Sequence, residues 1–463
     1  MQRGMGADAI RIPEESGFIM DNHIYQNTLL RELVPALGCT EPIALAYAAS
    51  TARQVLGCFP ERVQVSCSGN IIKNVRAVVV PNSGGMKGID AAVTLGIVGG
   101  DPARKLEVLC SVTAQHIQRT RELLKTDFCT CTLAEKSSKL YIQIRAYSEG
   151  HCAEVVIRNH HTNITYIEKD GKVLLKDDGD SESPREDCGD MTIKGILDFA
   201  SSVPIDDVRE ILDRQISNNA AISREGRTGK YGIQVWRSVE AVAGTNMYAK
   251  AVADAAAASE ARMCGCPLPV VINSGSGNQG ITVSVPVVSI AKSLAVPEER
   301  LYRALVVSNL VSIHLKSYIG DLSAFCGAVT AACGAGAAAA FLMDAKYAVI
   351  TATISNTLAS VSGILCDGAK ASCASKVAAS LQAAFSGLMM AQEGGAFEAG
   401  DGLVMQDIET TIQCIGHIGR CGMEAADREI LTMMLHSGKQ PPVQVSSETT
   451  AEGTEMRKEY ANI

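Results

Sequence analysis

The sequence predicts a mainly α protein with an inserted α+β domain and an Ala/Gly-rich helical core. Three observations predict it. From Thr192 to about His436 apolar residues recur at helical spacing in a background rich in Ala and short of strand formers. Residues 61 to 176 instead alternate apolar and polar side chains, as half-buried strands do, and the helical stretches before residue 58 match those after 190 in character. Residues 1–58 and 190–436 therefore read as one helical domain and 61–176 as the insert. Residues 177–189 read as a linker and 437–463 as a flexible polar tail.

Taken in order, "NTLLRELVPALG" is the first helical signal and breaks at Gly38. "PIALAYAASTARQVLG" repeats its apolar residues at helical spacing and stops at Gly57. "RVQVSCSG" and "KNVRAVVV" alternate as strands, while "GMKGIDAAVTLGIVGG" and "VTAQHIQRTRELLKT" read as helices. "KLYIQIRAYS" and "AEVVIRNHHTNITYIEKDGKVLL" read as antiparallel strands, with turns at Asn159 to Asn163 and at Asp170-Gly171. The acidic "KDDGDSESPREDCGD" closes the insert, and the rest is helical up to the polar tail.

Composition excludes several function classes. With 463 residues, 47% hydrophobic and 20% charged, the chain can bury proper cores without disulfides. A net charge of -8 and a single Trp argue against a nucleic-acid binder, which needs a basic face and stacking aromatics. Sixteen cysteines, and a first twenty residues lacking the apolar core of a secretion signal, point to a reducing, cytoplasmic location with thiols free, buried, metal-bound or catalytic. Residues 326 to 343 have the length of a membrane span. They are Ala and Gly, however, with Lys316 and Asp321 before and Asp344 after, so a close-packed core helix is the preferred reading and no membrane is expected.

The candidate chemistry begins at "ALGCTEPIALAYAA". Thr40 suits an N-cap and Pro42 the first turn, so Cys39 is expected just outside a helix N-terminus, where the dipole would lower its pKa. The plain alternative is a small buried Cys in a tight turn. "VINSGSGNQGITVSVP" is a donor-dense glycine loop whose Ser274, Ser276 and Asn278 could wrap an anion such as a carboxylate. It is neither a Walker loop nor a dinucleotide fingerprint, and an ordinary turn is as good a reading. "VPNSGGMKGIDAA" is a second such loop, with Lys87 available to an anion.

Cys326 and Cys333, seven residues apart in "SAFCGAVTAACGAGAA", would sit roughly 10 Å from each other along one helix, awkward for two ligands of one small cluster. Cys366 and Cys373 share that spacing, but Asp367-Gly368 lets the chain fold back between them. Geometry therefore proposes Cys366, Cys373 and one of Cys326 or Cys333, a thiolate set suited to an iron-sulfur cluster or zinc. Core cysteines on Ala-rich helices remain the plain alternative.

Other cysteines have packing as their first reading. Cys129 and Cys131 would face one side of a strand, and Cys264 and Cys266 sit near the glycine loop. Cys414 and Cys421 flank His417 and would be the substitute if a fourth ligand were needed. His160 and His161 fall in a hairpin turn, where polar residues are usual, so a zinc-histidine site lacks support.

The blocks "GCTEPIALAYAA", "NSGSGNQGITVSVPV", "SAFCGAVTAACGAGAA" and "GILCDGAKASCASKV", in that order, resemble the L-cysteine desulfidase family, relatives of the α domain of iron-sulfur L-serine dehydratases. The resemblance runs from about residue 25 to 435 and is weaker over the α+β insert. It implies an oxygen-sensitive 4Fe-4S cluster on Cys326, Cys366 and Cys373, a catalytic thiol at Cys39, and an amino-acid substrate. It selects Cys326 over Cys333, a choice spacing leaves open. The implied reaction is elimination of sulfide from L-cysteine, with the substrate carboxylate in the Ser274 to Asn278 loop and Cys39 as thiolate base. L-serine would use the same site. A pyridoxal-phosphate lyase built on Lys370 or Lys87 is the rival enzyme class, and a thiol or metal sensor the non-enzymatic one. A homo-oligomer is left open.

Overall fold

The computed structural model describes residues 22–134, 137–177, 191–320 and 322–435. The 437–463 tail lies outside these residues, as do all but the first residue of the 177–189 linker and the start of the helical domain, residues 1–21.

Helix α1 (Asn22–Glu32) leads into a three-residue strand, β1 (Pro35–Leu37), and then α2 (Thr40–Leu56). The helix α2 stops at Gly57, which caps it in the left-handed conformation at φ 86°, as the sequence indicates. Strand β2 (Arg62–Cys67) follows, burying Val63, Val65 and Cys67 on one face. The next segment corrects the sequence reading: the strand expected over "KNVRAVVV" is helix α3 (Gly69–Val75) and an irregular stretch behind it. Ile71 and Val75 are four apart and both buried, a helical pair that the alternation of the following valines masks.

Helices α4 (Ile89–Gly99) and α5 (Ala114–Leu123) form where expected. Strands β3 (Cys129–Leu133), β4 (Tyr141–Ser148), β5 (His151–Arg158), β6 (Ile164–Lys169) and β7 (Lys172–Lys176) complete a six-stranded sheet in the order β3-β2-β4-β5-β6-β7. Only β2 and β3 run parallel, and the predicted hairpins at 159–163 and 170–171 are present. Helix α2 lies across β4 and β5 and along α4, so the helix that opens the thiol site is also part of the sheet's cover.

Apart from β8 (Pro269–Val271), the regular elements of the remaining described chain are helices, joined by irregular loops. Its helices are α6 (Ile193–Ser202), α7 (Asp206–Thr228), α8 (Val235–Ala243), α9 (Met247–Met263), α10 (Gly277–Ser293), α11 (Glu298–Ile319) and α12 (Gly327–Leu342). They continue as α13 (Tyr347–Val361), α14 (Cys373–Gln392), α15 (Ile408–His417) and α16 (Glu424–Leu435). The Ala-rich α12 is central, enclosed by α10, α11, α13 and α14 and buried from Ala328 to Ala340. Its small side chains permit that approach: a Cβ on Gly334 would stand 2.2 Å from the Ser308 carbonyl oxygen of α11. Among the described residues no helix is long and apolar enough to cross a membrane.

A short antiparallel ribbon joins β1 to β8, pairing Pro35 with Val271 and Leu37 with Pro269. It ties the start of α2 to the turn that precedes α10.

Candidate active site

Four helix N-termini meet at one cavity of about 110 Å³. Helix α2 brings Cys39, Thr40 and Glu41, α10 brings Ser276, Asn278 and Gln279, α12 brings Cys326, and α14 brings Cys373. Each helix end turns the positive pole of its dipole toward the cavity, so their convergence favours negative charge in the space between them. The buried Arg262 and Lys316 reinforce that sign, the Lys73 ammonium in the same wall is paired with Asp427, and Glu41 is the one acid among the described residues of the wall.

The three thiols arrive by local pairing. The Cys326 amide donates to the Ile364 carbonyl at 3.0 Å and the Cys366 amide to the Ala324 carbonyl at 2.6 Å, a two-residue antiparallel clasp that sets the two cysteines side by side. Between Cys366 and Cys373 the chain doubles back at Gly368, as the Asp367-Gly368 break suggests. Gly368 has φ +93°, and a Cβ there would meet the Lys73 carbonyl oxygen at 2.4 Å, so only glycine fits. Asp367 anchors this loop by accepting Lys370 at 2.6 Å and the Lys376 ammonium. Burial, then the neighbouring Cys366 thiol, pushes Cys326 up to about 12, while the Ala328 amide and Lys376 pull the other way. Burial likewise raises Cys373.

Cys39 differs from its expectation in two respects. It occupies the N-cap position itself, with Thr40 the first helical residue, and its side chain makes no capping bond. Its thiol instead donates to Glu41 Oε2 at 3.0 Å. Burial and the Glu41 charge push the thiol well above its ordinary value, outweighing the Arg262 charge, so Cys39 is a neutral thiol and not the expected thiolate. Burial works against the Glu41 charge, but His161, the Cys39 hydrogen bond, its own amide and Arg262 outweigh it and bring the carboxyl below its usual range. Glu41 also accepts from Thr40 Oγ1 at 3.1 Å and from Asn74 Nδ2 at 2.8 Å.

The glycine loop is largely occupied by its own structure. Asn273 and Ser276 exchange backbone hydrogen bonds around Ser274 and Gly275, both at positive φ, making a tight turn whose Gly275 carbonyl accepts from Thr40 Oγ1 at 3.0 Å. Ser274 Oγ donates to Asn273 Oδ1 and lines a neighbouring cavity of about 470 Å³ in place of the thiol cavity. Asn278 Oδ1 receives Ser259 and Arg262 at 3.1 and 3.2 Å, and Ser276 caps α10 through the Gln279 amide. The expected carboxylate cup is therefore not a free ring of donors.

Lys87 is exposed on the turn paired with Val79 and lines neither cavity, so the expected anion contact is corrected. Lys370 is spent on Asp367 and nearby carbonyls and is also absent from the thiol cavity wall, so neither lysine named for the rival lyase class lines that cavity. Cys333 is buried inside α12, away from the cavity, and Cys264, Cys266, Cys414 and Cys421 do not line it either. Cys129 and Cys131 lie on the edge strand β3, Cys131 within 3.9 Å of the Cys67 sulfur.

Sequence reasoning missed Glu41, Lys73, Asn74, Arg262 and Lys316 as residues of the cavity. Glu41 stood inside the quoted "GCTEP" block, and Arg262 was a charge closing a nearly all-Ala helix, a legible anomaly. It also passed over His161. The β5–β6 turn carries His161 into the wall of the larger cavity, facing Gly275, and the two cavities share Glu41, Ser276, Gln279 and Leu322.

No group of three His, Cys, Asp or Glu among the described residues is gathered tightly enough for one metal ion. A lone tetrahedral ion bonded at about 2.3 Å requires thiolates about 4 Å apart. A cluster spreads its thiolates over several irons, and Cys326, Cys366 and Cys373 share the one wall that would have to supply them. The all-thiol donor set, in a wall of positive dipoles, agrees with an anionic iron-sulfur group.

Residues 103–432 match the model of the serine dehydratase alpha chain family. The chain belongs to this family. UPF0597 proteins are its relatives: that of Desulfitobacterium hafniense is 47% identical over 415 residues, covering 89% of this chain and 96% of the relative. That of Lachnoclostridium phytofermentans is 46% identical, covering 88% and 98%, and that of Finegoldia magna 44%, covering 89% and 99%. The serine dehydratase alpha chain family is associated with iron-sulfur dehydratases, so the chain carries a serine-dehydratase-like alpha domain, in agreement with the resemblance of its four blocks.

Proposed function

We propose that this protein is an iron-sulfur-dependent lyase that eliminates sulfide from L-cysteine to give pyruvate, ammonia and hydrogen sulfide in the cytoplasm. The observation that carries the reading is the single cavity wall on which Cys326, Cys366 and Cys373 stand with the Cys39–Glu41 pair. Those three thiols would hold a 4Fe-4S cluster, which when bound supplies an iron without a protein ligand as a Lewis acid toward the departing β-substituent.

The chain's own residues handle the proton. Glu41 accepts the Cys39 thiol along a 3.0 Å bond; both groups rest with the proton on sulfur, and in the reaction that proton shifts to Oε2 as the sulfur takes the proton from the substrate Cα. The base is thus the pair, with thiolate formed at the moment of use. The electron pair left on Cα closes the Cα–Cβ double bond as the C–S bond breaks, releasing sulfide and 2-aminoacrylate. Its imine tautomer takes up water to give pyruvate and ammonia. The helix ends and Arg262 stabilise the negative charge that builds on the substrate meanwhile.

The family description favours one further reading, in which L-serine is the substrate and hydroxide leaves. Protein purified without air tests both: iron and acid-labile sulfide are measured, then sulfide release from L-cysteine beside ammonia release from L-serine. Sulfide release exceeding ammonia release, abolished in Cys39→Ala with iron retained, is the expected result. An iron-loaded protein that acts on neither amino acid sinks the proposal.

A further inference from the structure

The thiol cavity contains two buried polar atoms of opposite character that no group of the described chain satisfies. Arg262 is 2% exposed and Asn74 6%, and both line the cavity. Arg262 gives one Nη1 bond to Asn278 Oδ1, while its Nε–H has no hydrogen-bond partner among the described residues. The orientation of Asn74 is fixed by Glu41, because a carboxylate oxygen only accepts: Nδ2 must point at Glu41 Oε1, 2.8 Å away. Its Oδ1 is therefore the end left without a partner. Orphaned buried donors and acceptors are rare in folded proteins and call for a ligand.

We propose that Arg262 and Asn74 are the two anchors of a zwitterionic α-amino acid, the guanidinium taking the α-carboxylate and Asn74 Oδ1 the α-ammonium. This rests on the lyase reading and deepens it by naming the residues that recognise the substrate's two charged groups. Asn74 is bonded to Glu41, and Glu41 to Cys39, so an ammonium on Asn74 sits one residue from the proton acceptor and beside its charge. The carbon bearing both groups is then presented to Cys39, and its β-substituent is left for the wall of Cys326, Cys366 and Cys373. Attachment through three different groups selects one enantiomer.

The glycine loop acquires a role from the same contacts. It supports the guanidinium in place of binding the carboxylate: Asn278 accepts Nη1, and Gly277 lies so close that a Cβ would stand 2.3 Å from Nε.

The test is calorimetric titration of purified full-length protein with L-alanine, propionate and ethylamine, which carry both anchor groups, the carboxylate alone and the ammonium alone. L-alanine has no leaving group, so its binding is read apart from turnover. Wild type is expected to bind L-alanine at least tenfold more tightly than either half-ligand. Arg262→Lys, which keeps the charge and loses the fork, is expected to weaken L-alanine and propionate by roughly 10- to 100-fold while leaving ethylamine unchanged. Asn74→Ala is expected to weaken L-alanine and ethylamine and spare propionate. The assignment is overturned if wild type binds no L-alanine at tens of millimolar, if folded Arg262→Lys and Arg262→Ala proteins bind it within twofold of wild type, or if all three ligands weaken together. Should the selective pattern hold in a protein that turns over no amino acid, the lyase reading fails and the anchors stand.

Discussion

Replacing Gly368 by Ala attacks the turn that lets Cys366 and Cys373 share one wall. At φ +93° an L-residue takes on the left-handed penalty, about 1–2 kcal/mol. The new methyl would also stand 2.4 Å from the Lys73 carbonyl oxygen, where ordinary contact begins at 3.4 Å, so the loop must retreat from α3 by the 1.0 Å difference. Forced overpacking of this kind adds about 1–3 kcal/mol, for a total of roughly 2–5 kcal/mol. Gly363→Ala, in the same loop, meets nothing within 4 Å and is expected to be neutral to within about 0.5 kcal/mol. Urea midpoints and iron bound per chain after anaerobic reconstitution read the two effects separately. Gly368→Ala should lose both stability and iron while Gly363→Ala keeps both. A Gly368→Ala protein with full iron and the midpoint of Gly363→Ala would refute the steric reasoning.

Three further outcomes follow from the site. Glu41→Gln removes the acceptor of the Cys39 proton and should lower kcat by roughly 10²–10⁴-fold with iron content unchanged, whereas a loss below tenfold would remove Glu41 from the proton path. Because the Glu41 carboxyl is held below its ordinary 4.5, its contribution is present above that pH and is lost as pH falls through the lower folded value; His161→Ala, by deleting a favourable charge, should move the acid limb of activity to higher pH, and an unmoved limb contradicts the coupling. Asn309→Leu strands the buried amides of Gln215 and Asn273, which bond it at 3.0 Å each, and should cost about 2–5 kcal/mol in a urea melt while weakening L-alanine binding through the loosened 273–276 turn.

The legible parts of the fold were those dictated locally. Gly57 stops α2 because glycine alone takes the left-handed cap cheaply, and Asp170-Gly171 closes a hairpin for the same reason. The Ala/Gly run of α12 announced a helix packed on all sides, and its small side chains are what admit α10, α11, α13 and α14. Helix α3 was misread because three consecutive valines behind it imitate a strand.

The cavity was legible only in part, since it is assembled by long-range contacts. Cys326 and Cys366 meet through backbone bonds that no spacing rule contains. The Cys39 dipole argument was sound in sign yet lost to burial and to Glu41, a competitor two residues along. His161, reasonably taken for a turn residue, reaches the wall only because the α+β sheet aims its hairpin there.

The most direct measurement is iron and acid-labile sulfide per chain in anaerobically reconstituted Cys326→Ala beside Cys333→Ala. These cysteines lie seven residues apart in one sequence block, but Cys326 stands at the cavity and Cys333 is enclosed within α12. Cys333→Ala should load as wild type does, and Cys326→Ala should retain little of either. Equal loading of the two, or loss of iron from Cys333→Ala alone, would contradict the assignment of the cluster to Cys326, Cys366 and Cys373.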